Sequence, residues 1–506
     1  MCFTFSFAKA IISAGLLCLI LVSAGVGQPA EAQKPLTAIE IENSLRDTKA
    51  GLPTTNKILI KRVGEQGLDF EIDAPIEKRF REIGASEQLV AIIRENLCAA
   101  FVNKANACPK DDYKCQIANY NKALEFHPLD SDVFVNRGNS FHESGDFVNA
   151  IKDYSKALEI SPKDSDAIGN RANSYRRNGD KVLALKDFDQ AIAIAPKEAH
   201  LYYNRAVLHS DNRNYELAIK DYTRFITFEP KDKDGYSNRG EAYIQSEQFA
   251  LAIKDFTAAI VLSPAEPDYF IDRGRAIFGQ KQFDKAISDF DAAIRLDPKS
   301  DYAFFNRGFA FYKKDDYDRA IADYNKSLEI KSDQPDVYFN RGLAFDSKKD
   351  YDAALRDYNR AIELETTEPS AFYNRAAILY DKKFYEQAIL DFSKAVELNP
   401  NDPDAHSSRG YIYLDIEDYE NALKDFNKVI SLLPKDSSAY TNRGLIYLRT
   451  GQNQKSIEDA TTAIRLDPNN ATAYENRAFS YDELNETKKA AADRKKAELL
   501  LKAAKP

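Results

Sequence analysis

Residues 340–364 read NRGLAFDSKKDYDAALRDYNRAIEL, and the Asn-Arg-Gly at their head, or a close variant, keeps returning along the chain. Its Arg falls at Arg137, Arg171, Arg205, Arg239, Arg273, Arg307, Arg341, Arg375, Arg409, Arg443 and Arg477, always 34 residues apart. A fixed period of this length marks a solenoid of helix-turn-helix units. In 131–164, Phe134, Gly138 and Phe141 share one helical face. After Ser144, Gly145 and Asp146 a second run sets Ala150, Tyr154, Ala157 and Ile160 on another face, and Pro162 ends it. The pattern predicts an all-α array whose small residues let paired helices approach and whose rings fill the space between neighbouring units.

These units resemble the tetratricopeptide repeat family over eleven full repeats, residues 131–504. A degenerate unit at 97–130 keeps Tyr120, Ala123 and Pro128 but has Lys104 and Gln116 at the small positions. The resemblance implies a right-handed superhelical solenoid with an inner surface that takes proteins or peptides. Departures are mild: Ser332 and Thr366 replace the closing Pro, with Pro335 and Pro369 three residues later. Arg494 stands where other units carry an aromatic (Ala460 in the preceding unit), a charged outer face suited to an end that has no following neighbour. Before the array, residues 36–96 hold apolar-periodic segments around 39–45, 58–63, 76–83 and 89–97, which predict a small helical domain. Through VGEQGLDFEID (63–73) it resembles a short module at the start of some exported bacterial proteins, with no activity to carry over.

The 506 residues are 44% apolar and 29% charged, ample for a folded array. The net charge of -9 is dispersed as alternating Lys, Asp and Glu, which excludes a nucleic-acid binder. The N-terminus differs. Lys9 precedes AIISAGLLCLILVSAGVG and then PAEAQ, the pattern of a secretory signal peptide over residues 1–32 with cleavage after Ala32. An uncleaved anchor is the alternative. No later segment approaches the roughly 18 to 20 apolar residues of a membrane span. The expected location is across the inner membrane, in the periplasm. Cleavage removes Cys2 and Cys18, leaving Cys98, Cys108 and Cys115 in an oxidising compartment. A disulfide between Cys108 and Cys115 is expected across a helix–helix turn, and three thiols without a clustered His make no zinc site.

Each Arg is followed sixteen residues later by an Asp, as in Arg307 with Asp323 and Arg341 with Asp357. In the degenerate unit both become Asn, Asn103 and Asn119, and this joint loss predicts structural ion pairs within a unit, not with the preceding one. The preceding Asn points about 100° away. Asn fills nine of the eleven places, including Asn306, Asn340, Asn374 and Asn442; Asp272 and Ser408 are the exceptions. An amide donates and accepts at once, which suits a peptide backbone of any sequence. The resemblance implies the same, since some relatives use an Asn ladder. The alternative is a bond to a neighbouring helix or loop.

Around the Asn row the early units are polar: Asn139, His142, Asn173, Arg176, Ser237 and Glu241. From 301 to 448 they become Phe305, Phe309, Tyr312, Phe339, Leu343, Tyr373, Tyr380, Tyr411, Leu414, Leu445 and Leu448. Such a lining is expected to be covered, by a peptide, a partner helix, a second copy or the superhelix itself. The family's clamp for charged chaperone tails needs Lys two residues before the Arg, and none of the eleven units has one, so that activity is not carried over. His127, His142, His200, His209 and His406 are scattered, and no phosphate loop, nucleophile elbow or dinucleotide motif occurs. The sequence therefore predicts a non-enzymatic adaptor or scaffold without cofactor or metal, binding protein or peptide partners; the alternative is an assembly protein that self-associates through the apolar lining.

Overall fold

The computed structural model describes residues 34–47, 51–70, 72 and 74–503. The leader expected at 1–32 lies outside them. Among the described residues the regular elements are helices, apart from one parallel bridge between Leu36 and Leu68. No described helix is long and apolar enough to cross a membrane. Packing divides the chain into two units, one ending at Asn212 and one starting at Arg213.

In the first unit, Ala38–Arg46, Leu52–Gln66 and Ala74–Glu82 close with the start of Glu87–Ala107 around Ile41, Leu45, Leu59, Val63, Phe80 and Ile93. Glu87–Ala107 runs unbroken across the boundary expected at 96/97, so the small module and the degenerate unit share a helix. The physical reason is continuity of the apolar face: Leu89, Ile93 and Leu97 serve the module, and Phe101 and Ala105 serve the hairpin with Tyr113–Phe126. Cys108 and Cys115, with Cα atoms 6.0 Å apart, form a disulfide across that hairpin's turn. Two helix pairs, Ser131–Glu143 with Phe147–Ile160 and Ser165–Asn178 with Lys181–Ile194, and the helix Ala199–Asp211 complete this unit.

The second unit is built of hairpins of the same kind, such as Pro335–Ser347 with Tyr351–Glu363. Lys349 makes the turn at φ 62°, donating its N–H to the Asp346 carbonyl, and Asp350 caps the next helix by accepting from the Ala353 N–H at 3.1 Å. Gly342 is required by closeness: a Cβ there would lie 2.7 Å from Tyr358 Cε1. Tyr358 is fully buried beneath it, as is the corresponding Tyr154 beneath Gly138.

The recurring Arg is a fork between three helices. Arg341 Nε and Nη2 donate to the two oxygens of Asp357, each at 2.7 Å, and its guanidinium lies 5.4 Å from the Tyr338 ring centre. Arg307 holds Asp323 in the same way. The Asp is buried and the Arg nearly so, at 7% and 18% side-chain exposure for the Arg341 pair. The expectation that the Arg serves its own unit alone is corrected by its third arm. Arg341 Nη1 donates to Asn325, on the second helix of the preceding unit. Arg137 does so to Asn121, Arg171 to Ser155, Arg239 to Thr223, Arg307 to Asp291, Arg409 to Ser393 and Arg477 to Thr461. A guanidinium carries five donors in a rigid plane, so filling one carboxylate leaves Nη1 free to reach the next helix. Each of these forks thus fixes the register within a repeat and to the preceding repeat of the same compact unit.

Candidate functional site

Because the fork uses one flank of each first helix, the other flank is left for something else. In the second unit this face is built by Asp301–Tyr312, Pro335–Ser347, Pro369–Asp381, Pro403–Asp415 and Ser437–Arg449. On the first of these, helical spacing aligns Tyr302, Phe305, Phe309 and Tyr312 into a ladder of near-parallel rings. Successive centroids are 6.5 Å apart, with planes within 8° to 21° of each other. Phe278, from the preceding first helix, stacks on Phe309 at 5.2 Å. The Lys313 ammonium lies 5.1 Å from the Phe309 ring centre and 5.6 Å from that of Tyr312.

The other predicted aromatics are partly withdrawn into the hairpins. Phe339 packs against Tyr358, Tyr373 edge-on against Phe392, and Tyr411 edge-on against Phe426, each on the second helix of its own unit. Their half-burial is therefore met in part by the chain itself. Tyr302 and Tyr411 are the most open of these rings, 46% and 39% exposed. Tyr302 was not among the predicted lining, although it follows from taking the position four before Asn306.

The Asn row divides. Asn306 Nδ2 donates to the Tyr302 carbonyl at 2.7 Å and Asn340 Nδ2 to the Asp336 carbonyl at 2.8 Å, bonds inside their own helices. Asn442 Nδ2 donates to the Tyr411 hydroxyl at 3.0 Å, joining neighbouring first helices. Buried Asn476 donates to the Thr441 carbonyl. Asn374 is half-buried near the Tyr358 hydroxyl. Asn306 and Asn340 keep their amide oxygens clear of those bonds, whereas Asn442 and Asn476 tie neighbouring helices, the bland alternative. At the Asp272 exception burial pushes the carboxyl up to about 6, although Arg275 donates to it at 2.9 Å.

Carboxylates missed by the sequence reading stand at the far end of the face. Asp346, Asp381 and Asp415 lie five or six residues beyond their Arg, on three successive first helices. Tyr380 donates its hydroxyl to Asp415 Oδ2 at 2.7 Å. Burial holds the half-buried Asp346 carboxyl above the usual range; the Tyr358 hydroxyl beside it opposes this, and the charge of Asp381 adds to it. Their signal in the sequence was an acidic residue interrupting an otherwise aromatic stripe. Among the described residues, no group of three or more His, Cys, Asp or Glu side chains is placed to hold a metal ion.

Family profiles described as TPR repeat match residues 274–315, 310–347, 378–416 and 410–451. Profiles described as tetratricopeptide repeat match 131–164, 335–365, 437–470, 170–235 and 203–267. Together they span well over half of the chain, which belongs to the tetratricopeptide repeat family. A search of curated proteins finds no match. Among solved structures the chain is similar to YrrB, described as a TPR protein with an unusual peptide-binding site, at 25% identity over 36% of this chain and 95% of that one, TM-score 0.35. It is similar to MamA from residue 41, from Desulfovibrio magneticus RS-1, at 26% identity over 34% and 97%, TM-score 0.32. A tetratricopeptide repeat protein from Parabacteroides merdae is 19% identical over 49% and 98%, TM-score 0.42. Proteins of this family bind protein partners, and the fold is typically a non-enzymatic interaction scaffold; this chain is accordingly an adaptor or scaffold for protein–protein interaction.

Proposed function

We propose that this adaptor works outside the inner membrane, in the periplasm, and captures an extended segment of a partner on the first-helix face of residues 301–448. The observation that carries the reading is the ring ladder Tyr302–Phe305–Phe309–Tyr312, extended by Phe278, on the flank that the Arg forks leave unused. Parallel rings one helical turn apart offer apolar slots, each filled ring contact contributing about 1 kcal/mol. The amide oxygens of Asn306 and Asn340 provide acceptors beside them for peptide N–H groups. The leader-like N-terminal sequence and the Cys108–Cys115 disulfide support export to an oxidising compartment.

The test is affinity capture from an envelope extract with the wild type and a Phe309→Ala/Tyr380→Ala variant. The expected result is loss of specific partners with the helical circular-dichroism spectrum retained; identical partner sets would sink the reading. Light scattering on the purified chain separates the self-association alternative, for which a monomer is the contrary result.

A further inference from the structure

Granting that this face holds a partner segment, its charge decides which segment. Along the four first helices from Asp301 to Asp415, the positions five and six residues beyond the Arg are Tyr312 and Lys313, Asp346 and Ser347, Tyr380 and Asp381, and Leu414 and Asp415. Aromatic rings and carboxylates therefore share one rim. Asp346, Asp381 and Asp415 form no ion pair; Lys314, Lys348 and Lys382 are engaged with Asp284, Asp318 and Asp352 on preceding second helices, while Lys349 and Lys383 stand in the turns that follow. At these rim positions the cation is Lys313, and it already rests on two rings of the ladder. The chain itself thus shows the face accommodating an ammonium.

A second, independent feature lies behind the same helices. The hydroxyls of Tyr324 and Tyr358 are buried without any hydrogen-bond partner, and both side chains are 0% exposed. The Tyr358 hydroxyl faces the Asp346 carboxyl and the Asn374 amide without closing a hydrogen bond of good geometry to either. A buried hydroxyl left unpaired is costly, and Phe would serve the packing equally well, as Phe392 and Phe426 do in the following repeats. The arrangement is a carboxylate short of a cation beside a phenol oxygen short of a donor. An ammonium or guanidinium supplies both.

We propose that the first-helix face from Asp301 to Asp415 selects a partner segment in which basic residues alternate with apolar ones. Its Lys or Arg side chain is set among Asp346, Asp381 and Asp415, and its apolar side chains lie on Phe305, Phe309 and Tyr312. The carboxylates draw the segment in and set its register, while the rings hold it.

Fluorescence anisotropy of the full chain with three short labelled peptides, alternating Leu with Lys, Gln or Glu, tests this. The Lys peptide is expected to bind tightest and the Glu peptide weakest, with the Lys preference shrinking as salt rises. An Asp346→Asn/Asp381→Asn/Asp415→Asn variant should lose about tenfold in affinity for the Lys peptide while the Gln peptide is unchanged. Asp381→Asn alone, at an exposed position, should give a smaller loss in the same direction and guards against misfolding of the triple variant. Equal binding of the three peptides, or an unchanged Lys preference in the variants, would overturn the proposal. If equal binding were abolished by Phe309→Ala/Tyr380→Ala, the capture face would stand and its charge selectivity would fall. Binding of none of the three would count against both.

Discussion

The repeats at 131–164 and 335–368 share a skeleton and differ on one flank. In both, a glycine lies under a fully buried tyrosine, and an Arg forks an Asp sixteen residues on. In the first, Tyr154 donates its hydroxyl to Asn139 at 2.7 Å. In the second, Leu343 takes the place of Asn139, and the Tyr358 hydroxyl has no partner. The fold tolerates the exchange because its register is fixed by the fork, on the opposite flank of the first helix. The face can therefore change from polar to aromatic along the array without disturbing how helices pair.

If that separation holds, damage to the fork should be severe in either repeat. Asp153→Asn and Asp357→Asn each leave an Arg charge partly buried and half-satisfied, at an expected cost of about 2–3 kcal/mol in chemical denaturation. A loss in one repeat only would break the equivalence. The hydroxyls should then respond with opposite signs: Tyr154→Phe should cost about 1 kcal/mol, and Tyr358→Phe should be neutral or stabilising in the unliganded chain. Equal losses would mean that Tyr358 is bonded after all.

The polar face also carries a pH signature of its own. Burial, reinforced by Arg177 and Arg176, lowers the His142 pKa from 6.5 to about 4, and its Nδ1 lies 2.7 Å from the Ser174 hydroxyl. A folded-state pKa below the unfolded one means that the unfolded chain takes up the proton first. His142 should therefore cost stability as pH falls from 6.5 towards 4, with no further change below. His142→Gln should flatten that part of the melting profile relative to wild type; parallel profiles would contradict the assignment. The smallest effect belongs to the turn. Lys349 sits at φ 62°, and Lys349→Gly should stabilise by up to about 1 kcal/mol, read as a shift in the denaturation midpoint.

Much of the skeleton was readable because it is repeated chemically unchanged. The 34-residue period, the Gly or Ala after each recurring Arg and the joint loss of both charges at Asn103 and Asn119 each expose a constraint on shape or charge. The third arm of the Arg fork escaped because its acceptor varies: Asn121, Ser155, Asp189, Thr223, Thr257, Asp291, Asn325 and their successors share only short length and an oxygen. The Asn row could be placed on a flank by helical geometry. Whether each amide turns to its own helix, as Asn306 does, or to its neighbour, as Asn442 does, depends on the side chain facing it and not on the period. The carboxylate rim was obscured because Asp346, Asp381 and Asp415 straddle two heptad-like positions and so break a simple stripe.

Separation of scaffold from capture face is the central claim, and one paired measurement tests it directly: thermal melting and partner capture of Phe309→Ala/Tyr380→Ala beside Asp357→Asn. The first variant should keep a cooperative melt and lose its partners, and the second should melt lower while the fraction still folded captures the same partners as wild type. Partners retained by the first variant, or lost by the folded fraction of the second, would contradict it.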